Sequence, residues 1–586
     1  MKNMVKVVSM KKTKNVKKIQ KTALFMASVV MGAAIFSGCG GPGGAASATT
    51  AGADAGAAQA TMPYNAAQET AAAMDEGFAL TEGAAAEAAD DGGYEGGYEY
   101  EQKNAASGLS GQYDALYGPE EYQAEEYSYI EENGYKKVAD EPLSTFSVDV
   151  DTASYGNIRR FIRNGQTIPA DAVRIEEMIN YFNYDYPEPA GDAPFSVTTE
   201  YAPCPWNEKS RLLLIGLQAK EIDFDDRPAS NLVFLLDVSG SMYSADKLPL
   251  VQKAFTMLTE NLDERDRVSI VTYAGYESVV LDGVSGRQKA KIAAALDDLE
   301  AGGSTAGAAG IERAYELAQK NFIQGGNNRV ILATDGDLNV GITSEGALTR
   351  LIQKKRESGV HLSVLGVGTG NIKDNKMEAL ADNGNGNYNY LDSIYEAKKV
   401  LVDEMGGTLI TVAKDVKIQV EFNPAQVAGY RLVGYENRLL NQEDFDDDRV
   451  DAGEIGSGHS VTALYEIIPT GGQVPQPQLK YQTSGTATGS SELLTVKLRY
   501  KAPNGNTSKL LEYPVESAAF QAELSENLTF ASAVAEFGML LRDSEFKGSA
   551  DYDQVIALAE SCIGRDTDDY RKEFLELVTE AAELYP

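Results

Sequence analysis

Asn231-Leu232-Val233-Phe234-Leu235-Leu236-Asp237-Val238-Ser239-Gly240-Ser241 passes from an unbroken apolar run straight into a turn of small and polar residues. A run without alternation predicts a strand buried on both faces, as in a parallel sheet covered by helices on each side. Similar runs follow at 268–273, 329–333, 360–366 and 388–391, with helix-spaced segments between them at 248–262, 287–299, 306–322 and 344–357, and a last one at 394–405. This alternation means βαβ units, so the fold class is α/β, a doubly wound Rossmann-like unit over about 229–407. The Asp-x-Ser-x-Ser turn then falls at the carboxyl end of a strand, where open α/β sheets place their ligands. Asp237, Ser239 and Ser241 at alternate positions offer three oxygen donors on one side, a set suited to a hard divalent cation. Taken alone, the same residue types also cap helices and close turns. Two further positions join them: Thr305, in a Gly302-Gly303-Ser304-Thr305 loop, and Asp335, in Ala333-Thr334-Asp335-Gly336 at the end of the 329–333 strand. Asp337 is either a supporting acid or a solvated loop residue.

Outward from this unit the pattern changes to period two, at 195–201 and 211–219 before it and at 416–421, 460–468, 493–500 and 508–515 after it. These segments predict antiparallel strands. Because they lie on both sides, the expectation is a β sandwich interrupted by the α/β unit, with helical segments in 144–186 and 517–583. The regions are therefore 138–228 before the unit, 408–515 as a β-rich part after it, and 516–586 as a helical end.

The 586 residues include 52 Lys and Arg against 87 Asp and Glu, a net charge of −35. Such a surplus repels phosphate backbones and excludes nucleic acid as a natural partner. His361 and His459 are the only histidines, which leaves little scope for zinc sites or a Ser-His-Asp triad. Cys39, Cys204 and Cys562 are too few for a disulfide-dense scaffold, and a Cys204–Cys562 pairing stays open. Residues 1–21 hold eight lysines and no acid, and 22–37 are sixteen largely apolar residues. This is the pattern of a signal peptide, here 1–38, and is shorter than the roughly twenty residues of a membrane-spanning helix. From 39 to 137 the chain is rich in Gly, Ala, Glu and Tyr with few aliphatics, so burial cannot offset ordering entropy, and an acidic tether is expected. Its repeat at 92–101, GGYEGGYEYE, fits a solvated spacer.

Phe36-Ser37-Gly38-Cys39 resembles the lipobox of bacterial lipoproteins, although Phe36 stands where Leu is commoner. The resemblance implies cleavage before Cys39, acylation of its thiol, and extracytoplasmic anchoring to the membrane or cell envelope; Gly40 in place of Asp implies no inner-membrane retention signal. Loss of 1–38 leaves 44 basic against 87 acidic side chains, or −43. The five positions Asp237, Ser239, Ser241, Thr305 and Asp335 resemble the metal-ion-dependent adhesion site of a von Willebrand factor type A domain. That implies direct ligation by the two serines, ligation by Thr305 according to liganded state, and aspartates acting directly or through water. The implied cofactor is a divalent cation, Mg²⁺ first, with Ca²⁺ or Mn²⁺ as alternatives, and the implied partner is a protein ligand supplying an acidic residue.

The stretches 146–155, 174–182, 434–438 and 450–454 resemble a bacterial subfamily of von Willebrand type A lipoproteins, so the likeness runs over roughly 125–586. The expected function is a non-enzymatic, cell-envelope binding protein. The alternatives are a metal-dependent hydrolase using the same oxygens and an assembly subunit of an envelope complex. Asp149-Val150-Asp151-Thr152 also resembles the opening motif of haloacid-dehalogenase phosphatases, but Ala153 stands where Thr or Val is expected, and 143–148 does not read as a buried strand. Six acids within 443–451 lack the Gly and Glu spacing of a calcium loop and read as a solvated loop.

Overall fold

The computed structural model describes residues 125–148, 151–223, 227–303, 307–336, 345–450, 452–476, 490–503, 505–565 and 568–585. The signal-like segment, Cys39, Thr305, Asp337 and the tether up to 124 lie outside the described residues. Everything described belongs to one compact unit, 106–586.

At its centre is a six-stranded sheet in the order Tyr388–Leu391, His361–Val367, Asn327–Thr334, Ser230–Asp237, Arg267–Tyr273, Glu277–Ser285. The first five strands are parallel and the last closes an antiparallel hairpin. Strand Ser230–Asp237 is buried along its whole length because its two faces feed different cores. Leu232, Phe234 and Leu236 pack with Val251, Phe255 and Leu258 of helix Leu248–Glu260, whereas Val233 and Leu235 pack with Ile311 and Tyr315 of helix Gly307–Lys320. An alternating strand could not satisfy both layers, which is why the sequence shows no alternation. The doubly wound α/β unit is thus as expected from that pattern. The edge strand Glu277–Ser285, half exposed and interrupted by Gly283, and helix Asp374–Asn383 carry weak periodicity and were not anticipated.

Two further sheets form the sandwich. One runs Lys136–Lys137, Val427–Val433, Ser460–Pro469, Arg211–Ala219, Phe195–Pro203; the other runs Gly453–Gly456, Thr411–Phe422, Glu492–Lys501, Ser508–Glu516. They share one core, with Leu213, Ile215 and Tyr465 from the first meeting Phe146, Ile418 and Val496 from the second. Strands from before and after the α/β unit therefore close around a common interior. A further core joins helices Ala153–Arg163, Ile175–Asn180, Glu526–Arg542, Tyr552–Glu560 and Tyr570–Leu584.

Two expectations need correction, and one open question closes. Leu143–Ser147 is a buried strand after all, paired with Thr411–Phe422; its polar side chains hid it, and they are satisfied in place. Ser144 Oγ bonds Tyr465 Oη at 3.0 Å, Thr145 Oγ1 accepts from Gln419 at 3.0 Å, and Ser147 Oγ accepts from the Gly453 amide at 2.8 Å. Residues 125–137, assigned to the tether on composition, are built into the body: Glu125 makes a buried ion pair with Arg160 at 2.9 Å and accepts from the Gly370 amide at 2.9 Å. Finally, Cys204 and Cys562 are separate buried free thiols, so the open question of a disulfide closes against it.

The α/β unit is clamped to its surroundings through one face of helix Asp374–Asn383. Arg174 reaches Asp374 at 2.5 Å and Glu378 at 3.0 Å, while Arg438 reaches Glu378 at 3.2 Å, Asp382 at 2.6 Å and Asp151 at 2.9 Å. Asp374, Glu378 and Asp382 recur every four residues, which stacks them on one side of the helix. Asp151, from the phosphatase-like stretch, also accepts from the Tyr388 amide at 2.7 Å, so it has a seam to hold; Asp149 lies outside the described residues. In the acidic loop, the Asp444 and Asp447 carbonyls accept from Lys417 and the Asp446 and Asp448 carboxylates pair with Arg499.

Candidate metal centre

Asp237 ends its strand with no solvent exposure. Its Oδ1 accepts from the Ser239 amide at 2.9 Å and its Oδ2 from the Thr334 hydroxyl at 3.0 Å, on the neighbouring strand. The first bond is a side-chain-closed turn, a conformation that Asp favours, and it swings the chain so that the Ser239 and Ser241 hydroxyls meet 3.0 Å apart. Ser239 is buried and Ser241 exposed, so the pair spans the boundary between sheet and solvent. Three backbone bonds pin the turn: Val238 N to Tyr273 O at 3.0 Å, Gly302 N to Val238 O at 2.7 Å, and Gly240 N to Gly303 O at 3.0 Å. The loop that leads to Thr305 is therefore tied to the serine turn, although Thr305 itself is outside the described residues. Of the five predicted positions, the structure brings Asp237, Ser239, Ser241 and Asp335 to this strand end.

Asp335 follows Thr334 and is likewise fully buried. The next residue, Gly336, has φ +94, and a Cβ there would sit 2.6 Å from the Lys373 amide nitrogen, so a side chain is excluded. Burial pushes the Asp237 carboxyl up to about 6, with the charge of Asp335 adding to the effect and bonds from Ser239 and Thr334 opposing it. Asp237, whose charge is disfavoured by burial and by Asp335, gains from a cation placed between the two carboxylates. Together with two hydroxyls, they form an all-oxygen set that fits a hard divalent ion better than a soft one.

Sequence reasoning missed two contributors. Thr334 adjoins a predicted ligand but is hidden in a strand, and Lys247 donates to Asp335 Oδ2 at 2.9 Å from 88 residues away. No local pattern marks that lysine, since it only precedes the first apolar position of a helix. His361 sits at the opposite end of its strand, bonded through Nδ1 to Asn385 O at 2.7 Å and held down to about 4 by burial and by Arg329.

Residues 231–403 match the von Willebrand factor type A domain, 121–214 match a family described as von Willebrand factor, and 407–584 match one described as uncharacterized protein YfbK, C-terminal. An Escherichia coli (strain K12) protein described as uncharacterized protein YfbK is 46% identical over 462 residues, spanning 77% of this chain and 80% of that one. The chain belongs to the YfbK family of von Willebrand factor type A domain proteins. An uncharacterized protein of Synechocystis sp. is 31% identical over 190 residues, 32% of this chain and 43% of its own. Among solved structures, a von Willebrand factor type A protein from Catenulispora acidiphila covers 68% of this chain and 97% of itself at 15% identity and a TM-score of 0.38. The two flanking matches, 121–214 and 407–584, contain strands of both sheets of the sandwich and the helices of the helical layer.

Proposed function

We propose that this YfbK-family protein is a cell-envelope lipoprotein that captures a protein ligand through a divalent ion, with the ligand contributing a carboxylate. The observation that carries the reading is the pair of serine hydroxyls, 3.0 Å apart, on the solvent side of two buried aspartates. Ser239 and Ser241 would hold the ion directly, with Thr305 as a further hydroxyl and Asp237 and Asp335 acting directly or through water. When bound, the ion supplies a Lewis-acidic point on the surface, and neutral hydroxyl ligands leave it enough charge to attract an incoming Glu or Asp. That local attraction outweighs the repulsion an acidic partner meets from a mature chain of −43. Mg²⁺ is the first candidate, with Ca²⁺ or Mn²⁺ as alternatives.

Tyr243 and Tyr276 are 82% and 77% exposed. The first lies in the serine turn and the second just after the neighbouring strand Arg267–Tyr273, so both stand at the ligand end of the sheet. Exposed tyrosines beside a polar anchor suit a protein partner. Binding is favoured over hydrolysis because the strand end offers hydroxyls and charge-compensated carboxylates, while His361 is sequestered at the far end. Attachment rests on the basic, apolar and Cys39-containing start of the chain; no helix among the described residues is long and apolar enough to cross a membrane.

The test is crosslinking on intact cells followed by capture of the partner. The partner should be lost in EDTA, regained with Mg²⁺ or Mn²⁺, and absent from Ser241→Ala at full metal concentration. Capture that survives both treatments would place the binding surface elsewhere.

A further inference from the structure

Lys247 is the N-cap residue of helix Leu248–Glu260, a position where the helix macrodipole disfavours positive charge. It is nevertheless buried, which lysine rarely tolerates without a partner. Its partner is Asp335, at 2.9 Å, and its methylenes reach that carboxylate by crossing Gly368. Gly368 has φ +78, and a Cβ there would fall within 2.8 Å of the lysine Cδ and closer still to Cγ and Cε. The loop bearing Gly368 is fastened: the Tyr390 hydroxyl donates to Gly368 O at 2.6 Å, and the Gly370 amide donates to Glu125 at 2.9 Å. The fold thus builds a track that delivers one ammonium group to one predicted metal ligand.

Resting on the proposed ion site, we infer that Lys247 and the divalent ion are alternative partners of the Asp335 carboxylate, and that Lys247 thereby sets the affinity of the site for its ion. An arriving ion must either displace the ammonium group from Asp335 or share the carboxylate with it, and both options weaken binding. Sharing leaves the bound ion less neutralised by the protein and so better able to take a carboxylate from outside, which deepens the proposed preference for acidic ligands. A lysine that merely orients Asp335 for the ion would have the opposite effect, because removing it would weaken binding.

The experiment is calorimetric titration of the whole protein with Mn²⁺ alone, in wild type, Lys247→Met, Lys247→Gln, Gly368→Ala and Asp335→Ala. Both lysine variants should bind Mn²⁺ at least tenfold more tightly than wild type, a modest figure beside the repulsion between a unit and a double charge about 5 Å apart. Gly368→Ala, which keeps the lysine but blocks its track, should tighten binding in the same direction. Circular dichroism identifies any variant that fails to fold, and the remaining ones decide. If Asp335→Ala binds like wild type, the ion site itself is wrong. If Asp335→Ala loses the ion while the lysine and glycine variants bind equally or more weakly than wild type, the ion site stands and the role given to Lys247 is overturned.

Discussion

Replacing Gly368 by alanine perturbs the site without touching any predicted ligand. The added methyl meets the Lys247 chain, and Tyr390 restrains the loop from moving away. Left-handed backbone costs alanine about 1–2 kcal/mol. Loss of one partner from a buried ion pair costs about 3–5 kcal/mol, an upper bound here because the displaced lysine can resettle. A total near 3 kcal/mol is therefore expected. At about 2.1 cal/mol/K per residue, a body of about 460 residues loses roughly 1 kcal/mol per degree, so the unfolding midpoint should fall by about 3 °C. Gly370→Ala is the control: its φ of +93 imposes similar backbone strain, but nothing lies within 4 Å of the new Cβ. Scanning fluorimetry with and without Mg²⁺ should show Gly368→Ala below Gly370→Ala without the ion, and a larger rise on adding it, since the ion takes over the charge of Asp335. If the two variants match each other in midpoint and in Mg²⁺ response, Lys247 is not held as described.

Glu536 is buried in helix Glu526–Arg542 and pushed up to about 8 by burial, with Asp551 adding and Gln554 opposing. A carboxyl raised in the folded state contributes fully below its unfolded pKa near 4.5 and costs stability as pH climbs through 8. Glu536→Gln should therefore gain roughly 2–4 kcal/mol relative to wild type between pH 5 and pH 8.5, read from urea midpoints; a constant difference would show that Glu536 does not titrate this way. Arg438→Met strips the seam of its contacts to Asp151, Glu378 and Asp382 and should cost about 3–5 kcal/mol in urea unfolding, and a loss below 1 kcal/mol would mean the seam is solvated. Cys39→Ala should abolish fatty-acid labelling and leave uncleaved precursor or release protein from the membrane, and unchanged labelling would end the lipoprotein proposal.

The α/β unit was legible because burial on two faces writes itself as consecutive apolar residues, from Leu232 to Leu236 above all. That Asp237, Ser239 and Ser241 gather at one strand end was legible because the Asp-x-Ser-x-Ser run follows the buried strand without a break. What escaped was long-range charge pairing. Nothing near Lys247 announces Asp335, and although Asp374, Glu378 and Asp382 repeat every four residues, nothing in that repeat points to Arg174 or Arg438 as their partners. Strand Leu143–Ser147 failed for a related reason: its buried hydroxyls look solvent-facing until Tyr465, Gln419 and Gly453 are seen to satisfy them. Glu125 and Glu126 read as tether by composition, yet Arg160 and Lys373 bind them to the body.

The most direct measurement of the central claim is the stoichiometry and affinity of Mn²⁺ on the wild-type protein against Asp237→Ala and Asp335→Ala, followed by electron paramagnetic resonance or calorimetry. The account predicts one ion per chain in wild type, lost in both variants while they remain folded, and a wild-type stabilisation of about 2.7 kcal/mol at an ion concentration 100 times the dissociation constant. Equal Mn²⁺ binding in all three proteins would contradict it.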